Sequence, residues 1–392
     1  MKKIYFFIIA ILLYSCSNND ELIQPNTTEC KECLVSITEA KSIGVKHELT
    51  TIPTRASNTK LKSLGNSLGK FENIKEVTDS NNVISYYIIN YKGGGFLILS
   101  ADKRARPVLA YSNENSFPID NTEYPEGVVD WLESSKKYVA KVRESKAKLS
   151  SDDMELWSDC MISRVTKRPP VDGECTGGCP NTSFTRGPLL KTEWSQGNGF
   201  NSQVPFTGCV NNAYNRALVG CVAVAMAQVM KYHQYPNTFN WNAMDNFSAR
   251  DETARLMADI GAPDGVNMNY GCAASGAYSE DIAGVLKKKY KYSSATFSNY
   301  NPATVESEIS AGRPVLLSGK NNALGAGHAW VADGYRRDKI FSSNCNNSWT
   351  YLYFHMNWGW GGSQDGYYSF DNWSAGTSSY NDDKKMTYNI KP

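Results

Sequence analysis

The chain has 392 residues, which exceeds a typical single domain and indicates more than one. Aromatic residues make up 12% of it, and the formal net charge at pH 7 is +2. This near-neutral balance argues against a nucleic-acid-binding protein, which would carry a strongly basic charge.

The N-terminus has the composition of an export signal. Two lysines precede an apolar run from Ile4 to Leu13, which is too short to span a membrane as a stable helix. The sequence 13–16 resembles the lipobox of bacterial lipoproteins, which implies cleavage after residue 15 and a lipid on Cys16. The polar acidic run 17–21 resembles signals that send such lipoproteins to the outer surface in some Gram-negative bacteria. We therefore expect a signal peptide at 1–15 and a tether at 16–35, with a plain signal peptide as the alternative.

Residues 36–148 predict a separate small α/β domain. Apolar runs at 83–91 and 96–100 read as strands, and the glycine-rich stretch 92–95 reads as their hairpin connection. A turn and a third strand follow at 102–111. Apolar residues then recur at helical spacing over 128–145, with lysines on the other face. From these patterns alone, an independent binding domain is an open alternative.

Residues 149–187 are rich in Gly, Pro, Thr and Cys, a composition typical of an exposed linker that proteases can cut. Lys167-Arg168 and Arg186 are candidate activation sites. Cys175 and Cys179 would suggest zinc only with a second ligand pair at suitable spacing, and none accompanies them. A disulfide or two thiols is therefore the expectation there.

Most of the ten cysteines are expected to form disulfides. Setting aside Cys16 for lipid and Cys221 for catalysis leaves an even number, which fits an exported chain. The sequence cannot choose among their pairings. A redox role for the motif Cys30-Lys31-Glu32-Cys33 is rejected because the motif lies in a linker-like stretch. The remaining cysteines are Cys30, Cys33, Cys160, Cys175, Cys179, Cys209, Cys272 and Cys345.

Cys221 is the candidate nucleophile. It follows a glycine and begins an Ala/Val/Met-rich run that predicts a long helix. A helix N-terminus favours negative charge, so a thiolate is stabilised at this position. An inert buried cysteine at the start of a core helix is the alternative.

The chain has four histidines from which a general base can be chosen: His47, His233, His328 and His355. His233 lies in the same helical run as Cys221 and about 18 Å along it, which is too far. His47 falls in the N-terminal segment that we expect to be removed. The choice therefore narrows to His328 and His355.

Both remaining histidines lie at apolar strands. His328 follows a small-residue turn and begins a strand that an Asp333-Gly334 turn is expected to end. His355 lies on a strand in which alternation places it on the same face as Asn357. An asparagine can fix the tautomer of a catalytic imidazole through the far ring nitrogen, so Asn357 is the candidate third group.

Three motifs in this order, at 220–236, 327–334 and 355–362, resemble the streptopain family of secreted bacterial cysteine proteases. The resemblance implies that Cys221 is the nucleophile and His328 the general base and acid. Asn357 and Trp358 become the supporting pair, and His355 becomes a strand residue. Core packing is the alternative role for Trp358.

A fourth match, at 189–196, resembles the start of the mature enzyme in this family. It implies that the side-chain amide of Gln196 joins the backbone N–H of Cys221 in an oxyanion hole. An ordinary exposed polar residue is the alternative for Gln196.

The same resemblance implies the architecture. Residues 188–392 are expected to form an α+β, papain-like catalytic domain, with a helical half, an antiparallel sheet half and the active site in the cleft between them. Strands are expected at 313–318, 328–335, 339–341, 351–357 and 366–370. The stretch 86–117 resembles the inhibitory propeptide of streptopain-like zymogens. The small-residue segment 321–327 is a candidate mobile wall over the substrate.

The function expected from these features is a cysteine endopeptidase made as a zymogen, which acts on extracellular proteins through an acyl-enzyme. No metal or organic cofactor is needed for this mechanism. The resemblance implies a preference for a bulky apolar residue two positions before the scissile bond. The chain is expected at the outer membrane or cell surface, with release of the mature domain if the linker is cut. A peptidoglycan amidase or endopeptidase and a silent surface binding protein are the alternatives.

Overall fold

The computed structural model describes residues 30–47, 69–120, 124, 126–145, 147–158, 162, 182–210, 212–321, 326–341, 345–346, 348–369 and 384–392. The helices in these ranges are α1 (Ile37–Lys46), α2 (Glu126–Glu144), α3 (Ser151–Leu156), α4 (Cys221–His233), α5 (Asp251–Gly261), α6 (Ile282–Lys288) and α7 (Pro302–Ser310). The strands are β1 (Phe71–Thr78), β2 (Ile84–Tyr91), β3 (Phe96–Ser100), β4 (Val108–Ser112), β5 (Thr182–Arg186), β6 (Ser294–Asn299), β7 (Val315–Asn321), β8 (Ala326–Phe341), β9 (Ser348–Asn357), β10 (Gly366–Tyr368) and β11 (Lys385–Lys391).

One antiparallel sheet runs through the described parts of both predicted domains. Its order is β1-β2-β3-β4-β10-β9-β8-β7-β11-β6, with β5 paired to β8 off this path. The N-terminal strands join the C-terminal ones where β4 pairs with β10, in the register Tyr111↔Tyr367 and Ala110↔Tyr368. The predicted α+β class with an antiparallel sheet half is confirmed.

The two largest apolar clusters of the described residues lie against this sheet. The first surrounds α4, whose residues 222–230 are all buried, and includes residues of β7, β8, α5 and α6. The second includes α2 and strands β2 to β4 together with residues of β7, β8, β9 and β10. The N-terminal region, which we call the pro-domain for residues 30–158, therefore shares a core with the C-terminal sheet.

The strand that carries His328 is longer than predicted. The sequence Asp333-Gly334 was expected to end it, but β8 continues to Phe341 with a register shift between Ala332 and Gly334. Gly334 stays in the extended strand, where neighbouring residues pack closely against it. An added Cβ would lie 3.0 Å from the carbonyl oxygen of Arg186 and 3.0 Å from His355 Cβ. The expectation of a turn was wrong.

Residues 30–35, which the sequence assigned to the tether, pack on the pro-domain. Cys30 and Cys33 form a disulfide, and Cys33 is fully buried. The backbone N–H of Val35 donates to the carbonyl of Ala101 at 3.1 Å. The short disulfide loop brings this stretch against the sheet, so the tether does not extend through 30–35.

Several predicted features lie outside the described residues. They are the signal peptide with Cys16, Lys167-Arg168, Cys160, Cys175, Cys179 and most of the segment 321–327. Strands β1, β5, β6 and β11 were not predicted, and β5 lies in the stretch 149–187 that was predicted as a linker. Within the described ranges, none of the helices combines the length and apolar character that crossing a bilayer requires.

Candidate active site

Helix α4 begins at Cys221 because the preceding residue takes a backbone conformation that suits glycine. Gly220 has a φ of 90°. An added Cβ would lie 2.7 Å from the sulfur of Met268 and 2.9 Å from the carbonyl oxygen of Ser275. Cys221 is itself partly exposed and is not in a disulfide. A thiol is thus accessible in the first turn of a buried helix, where the N-terminal dipole favours the thiolate.

His328 lies near the start of β8 and is only 5% exposed. Its Nε2 is 3.1 Å from the carbonyl oxygen of Trp358, so Nε2–H donates and Nδ1 carries the lone pair. Its ring lies nearly parallel to that of Trp330, with centroids 5.9 Å apart. Burial lowers the pKa of His328 to about 4, and the bond to Trp358 opposes this shift only in part. The imidazole is therefore neutral at physiological pH.

Contacts at Gly359 bring the nucleophile helix and this histidine to one place. Val224, in the first turn of α4, lies against Gly359, where an added Cβ would be 3.1 Å from Val224 Cγ1. Gly359 directly follows Trp358, whose carbonyl accepts the bond from His328. Helix α4 also packs against β8. The first turn of α4 and His328 therefore meet at the Trp358–Gly359 peptide.

The side chain of Asn357 connects three segments. Its Nδ2 donates to the carbonyl of Thr192 at 2.8 Å, and its Oδ1 accepts from Gly359 N–H at 3.1 Å. The same Oδ1 accepts from Gln228 Nε2 at 2.9 Å. Among the described residues no hydrogen bond joins Asn357 to His328, whose far nitrogen bonds the next residue's carbonyl instead. The tautomer-fixing role of Asn357 stays a prediction.

Gln228 is a residue that the sequence reading missed. It is fully buried on α4, and besides bonding Asn357 its Oε1 accepts from Trp194 N–H at 3.4 Å. It thereby ties the nucleophile helix to the end of β9. The signal in the sequence is a glutamine among nine otherwise apolar or small helix residues, which is the kind of buried polar group that requires partners.

Trp358 is fully buried and lies between two other rings. Its ring centroid is 5.1 Å from that of Trp330 and 5.2 Å from that of Tyr368. Its backbone N–H donates to Asp365 Oδ1 at 2.9 Å. Core packing and support of His328 are both compatible with this position.

Gln196 lies beside the start of α4. Its carbonyl accepts from Val219 N–H at 2.9 Å, two residues before Cys221. The residue is half-buried. This backbone bond holds the predicted oxyanion-hole residue next to the nucleophile.

His355 is engaged elsewhere. Its Nδ1 lies 2.6 Å from Asp333 Oδ1, and its ring meets that of Tyr367 edge-on at 5.1 Å. Burial alone would lower the pKa of His355, but the Asp333 carboxylate raises it above its ordinary value. Asp333 also accepts from the N–H groups of Leu189 and Leu190 at 2.8 and 3.0 Å. This pair fixes the first residues of the catalytic region, which agrees with His355 being a strand residue.

A cleft of about 870 Å³ lies between the pro-domain and the catalytic region. Its walls include Glu114 and Asn115 from the pro-domain and Asn357 and Gly361 from the catalytic side. Cys221 and His328 do not line it. This space is therefore distinct from the place where α4 and His328 meet.

Comparisons with known proteins agree with these features. Residues 194–239 and 237–368 match the model of the Peptidase C10 family, and residues 37–139 match that of the Spi protease inhibitor family. Streptopain of Streptococcus pyogenes is 28% identical over 366 aligned residues, which cover 78% of this chain and 80% of streptopain. The thiol protease/hemagglutinin PrtT of Porphyromonas gingivalis is 24% identical over 348 residues, 76% of this chain but 36% of that protein.

The solved structure of a Prevotella intermedia prointerpain A fragment has the same fold. It aligns with a TM-score of 0.56 at 23% identity and covers 82% of this chain and 99% of that fragment.

Proposed function

Because the chain is a streptopain-like cysteine peptidase with an inhibitory propeptide, we propose that it is an exported zymogen whose mature form cuts extracellular proteins by thiolate attack from Cys221. The observation that supports this most directly is the meeting of the first turn of α4 with His328 at the Trp358–Gly359 peptide.

The proposed chemistry uses four groups: the Cys221 thiol, the His328 imidazole, the Cys221 backbone N–H and the Gln196 side-chain amide. His328 takes the thiol proton, and the Cys221 thiolate attacks the scissile carbonyl carbon. The resulting oxyanion accepts hydrogen bonds from the Cys221 backbone N–H and the Gln196 amide; loss of one such donor typically costs about 3 kcal/mol. His328 then gives its proton to the leaving amine. In the second half it deprotonates the water that releases the acyl group, which restores the thiol.

The bond from His328 to Trp358 supports the assignment of Nδ1 as the proton-exchanging nitrogen. Since Nε2–H donates to the Trp358 carbonyl, only Nδ1 is available as a base. Asn357 and Trp358 are proposed to keep this ring in place, with Gln228 holding Asn357.

The pro-domain supports a latent state by its contacts near this ring. Trp131 of α2 lies edge-on against Tyr368 at 4.9 Å, and Tyr368 lies edge-on against Trp358 at 5.2 Å. His328, whose Nε2–H donates to the Trp358 carbonyl, is buried and has a pKa of about 4. A neutral, buried imidazole does not form the thiolate–imidazolium pair that attack requires, and removal of the pro-domain would expose it to water.

Export and anchoring rest on the N-terminal sequence. We propose that residues 1–15 are cleaved, that Cys16 carries lipid, and that the zymogen is held at the outer membrane or cell surface. Cutting within 149–187 then separates the catalytic domain from its anchor. Arg186 is the less favoured cleavage site because it pairs with Tyr335 in the sheet.

The decisive experiment compares the wild type with Cys221→Ala. Both are incubated with casein, and the wild type is also titrated with an irreversible epoxysuccinyl thiol inhibitor. We expect casein hydrolysis only by the uninhibited wild type, and shortening of the wild-type chain to its C-terminal domain while the variant keeps full length.

Intact casein after deliberate cutting of the linker in a folded wild type would overturn this proposal. Release of peptides from peptidoglycan by the same preparation would then assign the site to cell-wall hydrolysis. The apolar preference at the second position before the scissile bond is tested separately, with a peptide series that varies only that residue.

A further inference from the structure

The β8–β9 hairpin has two parts. The part near the site carries His328 and Asn357, and the remainder extends well beyond it. We call residues 335–341 and 348–353 the distal arm. We propose that the distal arm is a recognition surface for the chain's own pro-domain, and that it sets how long the severed pro-domain stays bound. This deepens, and rests on, the proposed zymogen function.

The most specific contact is made by an arginine of the pro-domain. The guanidinium of Arg106 lies over the ring of Tyr351, 4.4 Å from its centroid, and 5.7 Å from that of Tyr353. One guanidinium nitrogen, Nη1, is buried and has no hydrogen-bond partner among the described residues. The two arm rings are therefore the main partners of this charge, and a desolvated cation over an aromatic face is a strong contact.

A second contact fixes the position of the arm against β4. The Tyr353 hydroxyl, fully buried, donates to the carbonyl of Val108 at 3.0 Å. The ring of Tyr111 meets Tyr353 edge-on at 5.7 Å and stacks on Tyr367 of β10 at 5.3 Å. The arm thus continues the surface that begins with the β4–β10 strand pairing.

An apolar cluster completes the surface. It joins arm residues with buried residues of β2, β3 and β4 and with Ile162, which follows the pro-domain. The arm members are Ile340, Tyr351 and Tyr353, and the pro-domain members include Ile89, Leu97 and Val108.

These features match those that dominate stable protein interfaces. Arginine and tyrosine in buried, well-packed positions usually carry most of the binding free energy, and their truncation acts mainly on dissociation. No distal-arm residue is placed in the catalytic machinery described above. The arm is therefore expected to affect release of the pro-domain without affecting hydrolysis by the mature enzyme.

The test uses the full chain with Cys221→Ala and a recognition sequence for a site-specific protease inserted in the 163–181 stretch. After cutting, dissociation of the pro-domain is followed by size exclusion. A thiol reductant is present because Cys345, at the tip of the hairpin, is disulfide-bonded. The variants are Arg106→Ala, Tyr351→Ala and both together.

We expect each single variant to dissociate about tenfold faster than the wild type, and the double variant to be no faster than either single one. The matched control is Arg255→Ala. It removes a similar contact in the catalytic region, where the guanidinium of Arg255 lies 4.4 Å from the ring centroid of Phe239. It should leave dissociation unchanged.

Equal dissociation rates in the wild type and the arm variants would overturn the proposal. So would a fall in the peptide hydrolysis rate of the separated Tyr351→Ala catalytic domain, prepared with Cys221 intact. The dissociation assay needs no catalysis. If the wild type hydrolyses no peptide while the arm variants still release the pro-domain faster, the zymogen function fails and the recognition surface stands.

Discussion

The two histidines near the candidate site are both buried, yet their surroundings move their pKa values in opposite directions. Burial lowers that of His328 to about 4, from a usual 6.5. For His355 the carboxylate of Asp333 outweighs burial and raises the pKa. The pKa shift of His328 means that the fold favours the neutral imidazole over the protonated one by a free energy of about 3 kcal/mol.

The sign of each effect on stability follows from which state binds the proton. As pH falls from 6.5 towards 4, the unfolded chain protonates His328 and the folded chain does not, so this residue destabilises the fold increasingly. His355 contributes stability below pH 6.5 and loses that contribution as pH rises through its raised folded-state pKa.

We therefore predict that imidazole NMR resonances of the Cys221→Ala zymogen separate into these two classes. His328 should titrate near pH 4 and His355 above 6.5, with assignment by His328→Gln and His355→Gln. After removal of the pro-domain, the His328 midpoint should rise because water reaches the ring. A His328 midpoint near 6.5 in the uncut zymogen would contradict the latent state described above.

Gln228 is the residue whose role is tested most cleanly by substitution. Gln228→Met keeps the side-chain volume but removes the donor to Asn357 and the acceptor for Trp194 N–H. We predict a loss of about 1 to 3 kcal/mol of unfolding free energy, because a buried polar group loses its partner. In the mature enzyme we expect kcat to fall about tenfold with little change in KM, as expected for a positioning residue.

The control for this variant is Met230→Leu, which changes a buried residue of the same helix and removes no hydrogen bond. It should leave both kcat and the pH dependence of kcat unchanged. If Gln228→Met and Met230→Leu lower kcat alike, the helix is merely sensitive to repacking and Gln228 has no positioning role.

At the scale of elements, the start of α4 depends on one glycine. Gly220→Ala forces a Cβ at a φ of 90° and against Met268. We predict that it lowers the free energy of unfolding by at least about 2 kcal/mol and that it reduces activity by moving Cys221. Urea unfolding and peptide hydrolysis measure the two effects.

Gly284→Ala in α6 is the matched substitution. An added Cβ there meets no atom of the described residues within 4 Å, and alanine is favoured over glycine in a helix by up to about 1 kcal/mol. It should be neutral or stabilising. A loss equal to that of Gly220→Ala would show that the strain at Gly220 is not the cause.

Sequence patterns predicted those elements whose pattern is local. The apolar run after Cys221 gave α4, and the paired runs around 92–95 gave β2 and β3, because each rests on neighbours in the chain. The continuation of β8 through Asp333-Gly334 could not be predicted. That dipeptide is typical of a turn, and only contacts with Arg186, Leu190 and His355 keep it extended.

The residues of the candidate site differ in the same way: some are marked by local sequence and others are not. Cys221 and His328 were identifiable from residue type and flanking motif. The link from Gln228 to Asn357 was not, because its partners are 129 residues apart and nothing local marks them. The carbonyl of Trp358 as the partner of His328 is likewise a property of the backbone, which no side-chain pattern reports.

At the scale of the whole molecule, the pro-domain and the catalytic region share one sheet and one apolar core. The strands of the pro-domain continue the catalytic sheet through β4 and β10, and α2 packs on β7 and β8. Trp131 reaches the catalytic side directly, with its Nε1–H donating to the carbonyl of Ser369 at 3.2 Å. A shared sheet and a shared core make separate melting of the two regions unfavourable.

We therefore predict that the Cys221→Ala zymogen unfolds in one calorimetric transition, since small cooperative units melt together when they share a core. After the linker is cut and the pro-domain removed, the catalytic domain should melt at a lower temperature, because Tyr368 and Met356 lose apolar neighbours. A sample cut but not separated should still melt as the zymogen does, since the contacts outlast the peptide bond. Two independent transitions in the uncut zymogen would show that the β4–β10 pairing adds little, and the regulation of His328 would then have to come from local contacts alone.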